Sequence, residues 1–366
     1  MRLVIDARLY GLEHRGLGRY LLELIAQLSR LDKENNYQLL INPKACSQPQ
    51  GLPPNFEIIP APWRIYSLSE QVGLVGLLKR LKPDLVHFPH FTVPLYVPTP
   101  FIVTIHDLII HRFPSERATT LPAPLYWLKL AAYRLVVRRA VARARFILTP
   151  SQATADEIMH YYPESGTKIK VVPLAPTAAI TPAAIKLPPC YLLTVGATYP
   201  HKNLELVLRA LKPIQIHRPD LKLIVVGRRD VFMDRLQAYA ERLNLKGIIF
   251  WGEASPEELA ALYSQTQAYL LPSLAEGFGL GGVEALQYGV PVIASDIPIL
   301  RETLGSAAWY VDPADETALA QSILALLNNS GLRQNLVSQA PKVLAAYSWE
   351  RTARATIKAY EQVLGN

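Results

Sequence analysis

The chain has 366 residues, half of them hydrophobic, and a formal net charge of +8, which is enough for two ordinary domains, each with its own core. Its two cysteines, Cys46 and Cys190, are far apart in sequence, which excludes a disulfide framework and suits apolar filler in a reducing cytoplasm. The start Met1–Asp6 lacks a charged region followed by a long apolar stretch, and no apolar run reaches a membrane span, so neither a standard secretion signal nor a spanning helix is expected.

Leu3–Ala7 reads as a buried strand, Arg8–Gly18 as a loop that carries Gly16 and Gly18, and Arg19–Leu31 as an apolar-periodic helix. Strand, glycine-bearing loop and helix make the first unit of a doubly wound parallel sheet, whose ligands gather at the carboxyl ends of the strands. Short apolar runs follow at 38–42, 56–60, 84–88 and 101–106. His87 and His90 flank one strand end and His106-Asp107 closes the next, but the three histidines lack the compact spacing of a metal site. By position alone His106 reads as a satisfied structural histidine.

The excess positive charge lies in the first 180 residues, which hold 21 Lys and Arg against 13 Asp and Glu, whereas the remainder holds 17 of each. Between Glu116 and Asp156 there is no acidic residue, and the segment 117–145 combines Arg117, Lys129, Arg134, Arg138, Arg139, Arg143 and Arg145 with a helical apolar pattern over 125–137. A peripheral contact with anionic lipid headgroups is one reading, and an ordinary domain helix with a basic outer face is the other. No nucleic-acid motif accompanies the charge, so no nucleic-acid partner is expected. A strand at 145–151, a helix started by Ser151 and a strand at 170–174 end the first half. The Pro- and Ala-rich stretch 175–189 is the linker, dividing the chain into 1–178, completed by a closing helix at 350–366, and 186–349.

The second half repeats the pattern. Tyr191–Gly196 is a strand, 199–204 a loop, and a helix runs to about Lys212. Lys202 could place an ammonium against a diphosphate, although a bare lysine is more often a solvated surface residue. Strands at 221–227 and 247–251 precede Ser255, a helix N-cap with Pro256 at the first helical position. The strand 268–271 then enters a glycine-rich bend, Glu276-Gly277-Phe278-Gly279-Leu280-Gly281-Gly282-Val283-Glu284. Four glycines in six positions disfavour a helix interior, so the segment reads as a loop, with a helix from Val283 to Tyr288 and Glu284 in its first turn. Free amides at such a helix start bind phosphate, and two carboxylates beside it can accept hydrogen bonds from sugar hydroxyls. The plainer alternative has Glu284 complementing the helix dipole and Glu276 capping a turn. Helices at 315–328 and after Ser348-Trp349 complete the chain.

Glu276, seven intervening residues and Glu284, set within Pro-Ser-Leu-x-Glu-Gly-Phe-Gly-Leu and followed by Glu-Ala-Leu-x-x-Gly-x-Pro-Val-Ile, resemble the signature of the retaining glycosyltransferases of family 4. The resemblance implies the α/β GT-B fold: two Rossmann-like doubly wound parallel-sheet domains facing across a cleft, with the C-terminal helix crossing back to the N-terminal domain. Gly16-Leu17-Gly18-Arg19-Tyr20 is similar to the N-terminal glycine loop of the polysaccharide mannosyltransferase-like branch. Thr104-Ile105-His106-Asp107 resembles the segment bearing the family's active-site histidine, which implies that His106 contacts the donor sugar, with Asp107 orienting the imidazole or capping the next turn.

Gly196 to Asn203 resembles the family's Gly-x-x-x-Pro-Arg-Lys-Asn, whose Arg and Lys bind the donor diphosphate. His201 replaces that Arg, leaving Lys202 as the main contact and a protonated His201 as a partial substitute. By the same resemblance Glu276 serves the hexose hydroxyls and the anomeric centre, Glu284 the ribose, the backbone of Gly277, Phe278, Gly279, Leu280 and Gly281 the diphosphate, and the backbone near 251–254 the nucleotide base. Gly281-Gly282 stands where many relatives carry proline, which implies a loop that is mobile before donor binding.

The expected activity is transfer of a hexose, mannose first and glucose next, from a GDP- or UDP-linked sugar to a polysaccharide or lipid-linked glycan, with retained configuration and without metal or cofactor. The expected location is the cytoplasm, with peripheral contact at the inner face of the membrane. Two rivals stand beside this reading. A sugar phosphorylase of related fold would use inorganic phosphate, and a noncatalytic nucleotide-sugar-binding module would bind without turnover.

Overall fold

The computed structural model describes residues 1–11 and 14–365. Leu12 and Glu13 of the expected first loop, and Asn366 at the end of the expected closing helix, lie outside the described residues. The chain divides into two compact units. Met1–Arg112, Leu121–Leu174 and Ser348–Asn366 form the first; Phe113–Thr120 and Ala175–Tyr347 form the second. The short stretch 113–120 thus groups with the second unit, which a linear division at 178 did not anticipate.

In chain order the elements of residues 1–174 are β1 (Arg2–Asp6), α1 (Arg15–Leu31), β2 (Asn36–Ile41), β3 (Phe56–Pro60), α2 (Leu68–Leu81), β4 (Leu85–Phe88), β5 (Phe101–Thr104), α3 (Ile109–Arg112), α4 (Ala123–Arg143), β6 (Ile147–Thr149), α5 (Gln152–Tyr161) and β7 (Ile169–Val171). The expected linker 175–189 carries neither helix nor strand. After it come β8 (Tyr191–Val195), α6 (Leu204–His217), β9 (Lys222–Val226), α7 (Val231–Arg242), β10 (Ile248–Gly252), α8 (Pro256–Gln265), β11 (Ala268–Leu271), α9 (Leu280–Gln287), β12 (Val292–Ser295), α10 (Pro298–Leu304), β13 (Ala308–Val311), α11 (Glu316–Asn328), α12 (Ser330–Leu344) and α13 (Trp349–Leu364).

Each unit holds one wholly parallel sheet, in the order β3-β2-β1-β4-β5-β6-β7 in the first and β10-β9-β8-β11-β12-β13 in the second. The central strands are short apolar runs buried along their whole length, as in β5 (FIVT) and β11 (AYLL), because helices cover both faces of a parallel sheet. Val86, Phe88 and Val103 of the first sheet, with Ile105 just after β5, pack against Leu130, Val137 and Val141 of α4. Leu192, Leu223, Val225 and Leu270 of the second pack with Val207, Leu211 and Ile323. At roughly 1.5–3 kcal/mol per buried aliphatic side chain, these two cores dominate the stability of their units. The last helix belongs to the first unit, packing on α1. Its Tyr360 hydroxyl lies 2.7 Å from His87 Nδ1 on β4.

The predicted caps form: Ser151 accepts the N–H of Thr154, and Ser255 and Glu258 complete a capping box. Two helix starts differ from expectation. α1 begins at Arg15 rather than Arg19, so Gly16 and Gly18 lie in its first turn instead of in the loop before it. α9 begins at Leu280 rather than Val283, so Gly281 and Gly282 are helical.

In such sheets the strand order reverses at a switch point, and the loops leaving the two strands there diverge to open a crevice at their carboxyl ends. The switch lies between β1 and β4 in the first unit and between β8 and β11 in the second. Topology alone therefore directs the loops after β8 and β11 to one place.

Candidate active site

Those two loops carry Lys202 and Glu276. After β8 the chain turns at Gly196, whose φ of +135° suits only glycine, and its N–H donates to the Val226 carbonyl at 2.9 Å. A short turn, Pro200–Lys202, then delivers Lys202 to the sheet edge. Asn203 stops that turn in the left-handed conformation, φ 56° and ψ 31°. Its Nδ2 donates to the Pro272 carbonyl at 3.1 Å and to the Pro313 carbonyl at 2.8 Å, while Leu274 N–H donates to the His201 carbonyl at 2.7 Å. These bonds clip the loops after β8 and β11 together. Asn203 is a positioning residue that sequence reasoning passed over; its tolerance of left-handed backbone was the available signal.

Lys202 Nζ donates to both carboxylate oxygens of Glu276, at 2.7 and 2.8 Å, and Ser273 Oγ donates to one of them at 2.7 Å. The pair borders a small depression lined by Gly196, Ala197, Val226, Pro272 and Ser273. His201, beside it, is held neutral. Burial and the adjacent ammonium of Lys202 push its pKa down to about 4, against the opposing pull of Glu276. Near neutral pH that lowered value disfavours the protonated His201 expected as a partial substitute for arginine while the site holds no anion.

The glycine bend leads directly into α9. Gly277 and Phe278 form the bend and Gly279 caps the helix at φ +81°. The Gly279 carbonyl accepts the N–H of Gly282 at 2.9 Å, so of the first N–H groups of α9 those of Leu280 and Gly281 lie ahead of the intrahelical ladder, the kind of helix start that can bind an anion. The Phe278 ring is buried edge-on against Tyr347, centroids 5.2 Å apart, so that residue offers a ligand its backbone alone.

Gly281 is glycine for a packing reason. A Cβ there would overlap the Tyr269 hydroxyl, which is held by the Val195 carbonyl at 3.3 Å, and one at Gly282 would press on Leu271 and Leu304. The expected mobile loop is thus a closely packed first helical turn. Glu284 lies in the second turn of α9, not the first, and is 7% exposed. Tyr263 donates to Glu284 Oε2 at 3.2 Å, and its ring stacks on Tyr288. Tyr263 and Tyr269 are supports that no local pattern announces.

His106, Gly16 and Gly18 belong to the first unit. His106 Nε2 donates to the Pro89 carbonyl at 3.0 Å, which fixes the proton on that nitrogen and leaves Nδ1 as a lone-pair site. Tyr20 from α1 sits edge-on to the imidazole, centroids 4.7 Å apart, and burial lowers the His106 pKa to about 4. Asp107 accepts the N–H of Ile109 at 3.0 Å, the turn-capping alternative of the two expected for it.

Behind His106, His87 spans Tyr360 and Thr104, with Nε2 2.8 Å from Thr104 Oγ1, and Tyr20 reaches the same hydroxyl at 3.3 Å. Gly16 faces open space, whereas a Cβ at Gly18 would overlap the Gly11 carbonyl, so the second glycine serves packing of α1 on the β1 loop. At the β1 switch, Arg8 is wholly buried, paired with Asp6 and Glu70 at 2.6 Å each. That triad was also invisible in the sequence. Among the described residues no three of His, Cys, Asp and Glu group as a metal site.

The description "Glycosyltransferase Family 4" matches residues 14–175, and "Glycosyl transferases group 1" matches 180–343. The chain is 32% identical over 266 residues to the O-antigen chain mannosyltransferase RfbU of Salmonella typhimurium, covering 72% of this chain and 70% of that one. It is 28% identical over 297 residues to the O-antigen chain mannosyltransferase B of Escherichia coli, covering 78% and 76%. In fold it is similar to sucrose-phosphate synthase from Thermosynechococcus elongatus, with a TM-score of 0.77 at 19% identity over 100% of this chain and 99% of that one. The parallel sheets, the glutamates on either side of the glycine bend and this relationship agree, and the chain belongs to glycosyltransferase family 4.

Proposed function

We propose that this protein transfers a hexose, mannose in the first instance and glucose next, from a GDP- or UDP-linked donor to a polysaccharide or lipid-linked glycan, with retention of configuration and without a metal. The observation that carries the reading is the convergence of Lys202, Glu276 and the amide-bearing start of α9 at the β8/β11 switch of the second unit. Mannose leads because the two O-antigen relatives named above are mannosyltransferases.

The leaving diphosphate accepts from the α9 amides and from Lys202, which stabilise the charge that grows as the glycosidic bond breaks. Glu276 receives the hexose hydroxyls and Glu284 the ribose. His106 offers its Nδ1 lone pair to a hydroxyl of the transferred sugar. Retention follows from front-face attack, with the leaving phosphate oxygen taking the acceptor proton, so no enzymatic nucleophile is needed.

Thermal-shift screening against GDP- and UDP-sugars, then donor hydrolysis and anomeric proton NMR of the product, tests this. Stabilisation by GDP-mannose, turnover that survives EDTA and a retained anomer are expected. Release of sugar phosphate that depends on inorganic phosphate would replace this reading with a phosphorylase. Binding without turnover across an acceptor library would leave a binding module.

A peripheral contact with anionic lipid is proposed for α4. Its inner face buries Leu130, Tyr133, Val137 and Val141, yet Leu121 before it and Leu125, Leu128 and Leu135 along it form a second apolar stripe that is exposed, with Trp127 beside it. Arg134, Arg138, Arg139 and Arg143 flank that stripe without an acidic residue on the helix, the pairing of apolar and cationic groups that suits a headgroup layer. No helix among the described residues is long and apolar enough to cross a membrane. Flotation with vesicles that contain phosphatidylglycerol, lost with neutral vesicles or with L125S/L128S, is the expected result. Equal absence from both kinds of vesicle at low salt ends the idea.

A further inference from the structure

We infer that Arg228 and Arg229, in the loop after β9, supply the cationic contact to the donor diphosphate that His201 does not. This rests on the nucleotide-sugar reading above and extends it to residues outside the family signature quoted for this chain.

Three observations place these arginines. β9 is the parallel neighbour of β8, so the loops after both strands leave the same sheet edge. The two loops touch: a Cβ at Gly227 would overlap the Gly196 carbonyl oxygen. The depression beside Lys202 is walled by Val225 and Val226, the residues that run into Gly227-Arg228-Arg229. The first turn of α7 then locks onto the His201 segment, with Phe232 edge-on to Tyr199 at 4.6 Å and Tyr199 stacked on His201 at 5.8 Å.

The arginines are also unspent. Elsewhere in the second unit Arg209 pairs with Glu316, Arg218 with Asp220 and Arg301 with Asp296. Among the described residues no hydrogen bond or ion pair engages Arg228 or Arg229, and both are exposed. Asp230, next in sequence, accepts the N–H groups of Phe232 and Met233 as the α7 cap. Two guanidinium forks thus stand unpaired near a site built for a diphosphate, and a guanidinium matches phosphate oxygens in a bidentate way that a neutral imidazole cannot. The charge missing at 201 is carried on the adjacent loop.

Isothermal calorimetry with GDP and with UDP, on wild type, K202A, R228A/R229A and R228A/R229A/H201R, tests this at two salt concentrations. The expected result is a loss of about tenfold or more in affinity for the double variant, a shallower salt dependence, an unchanged thermal midpoint and recovery with H201R. A double variant that binds like wild type while K202A is weakened overturns the inference and leaves the donor reading intact. A loss that H201R fails to recover overturns the exchange of one cation for another. Wild type that binds neither nucleotide removes the donor reading, and this inference with it.

Discussion

Lys202 and Glu276 hold each other across the β8/β11 switch, with Nζ within 2.8 Å of both carboxylate oxygens. A ligand that needs Lys202 for its phosphate and Glu276 for its sugar meets both already in place, so little reorganisation accompanies binding. The two should separate kinetically. K202A is expected to weaken GDP or UDP binding by about tenfold or more, the worth of a charge-assisted contact. E276Q is expected to leave nucleotide affinity within about threefold while kcat falls by roughly 10²–10³, because its role falls in the transition state. Calorimetry beside initial rates reads both, and an E276Q enzyme with normal kcat would sink the assignment.

The Tyr269 hydroxyl fills the space a side chain at Gly281 would need. Gly281→Ala should therefore displace the start of α9, lowering stability by about 1–3 kcal/mol and weakening nucleotide binding with it. Removing the obstruction with Tyr269→Phe in the same chain should return much of both. Denaturant melts and calorimetry on the two single variants and the double decide; additive losses would mean that the contact is not the reason for glycine.

Five histidines have pKa values pushed down by burial, to about 3 for His87 and His90 and about 4 for His106, His111 and His201. The sign follows from proton linkage. Between the ordinary histidine value near 6.5 and these lowered values the unfolded chain binds more protons than the folded one, so stability is fully present above 6.5 and is lost as pH falls toward 4. Thermal midpoints from pH 7 to 4 should drop, and His87→Gln should flatten the slope. Affinity for a nucleotide sugar should stay level from pH 6 to 8 if His201 remains neutral when the site is filled. A rise of tenfold toward pH 6 would show that the bound diphosphate recruits a proton onto it.

His87 has both ring nitrogens engaged, by Tyr360 and Thr104, in a position that is 1% exposed. Tyr360→Phe keeps the ring and leaves a buried nitrogen without its partner, which should cost about 1–3 kcal/mol. Chemical denaturation measures this directly. A loss below a few tenths of a kcal/mol would mean that water substitutes for the hydroxyl.

The sheets were legible because each central strand is a short apolar run bounded by glycine, proline or polar turns, and the alternation with helical periods leaves few other topologies. Helix starts were less so. Counting glycines against helix treats each as a loop residue, but Gly18 and Gly281 are helical and small because Gly11 and Tyr269 lie too close for a side chain. Glu276, Glu284 and Lys202 could be found because their spacing along the chain is itself the signal. Asn203, Tyr263 and Arg8 act through partners tens of residues away, at Pro313, Glu284 and Glu70, which only the folded chain brings within reach.

The bond between Tyr360 and His87 joins residues 273 positions apart within one unit. During synthesis at about 5–20 residues per second, roughly 14–55 s separate the emergence of the two from the ribosome. Over that interval the second unit can fold while the first still waits, one helix short, with Tyr20 and His87 uncovered. Nascent chains stalled before residue 348 should therefore be the form that chaperones hold.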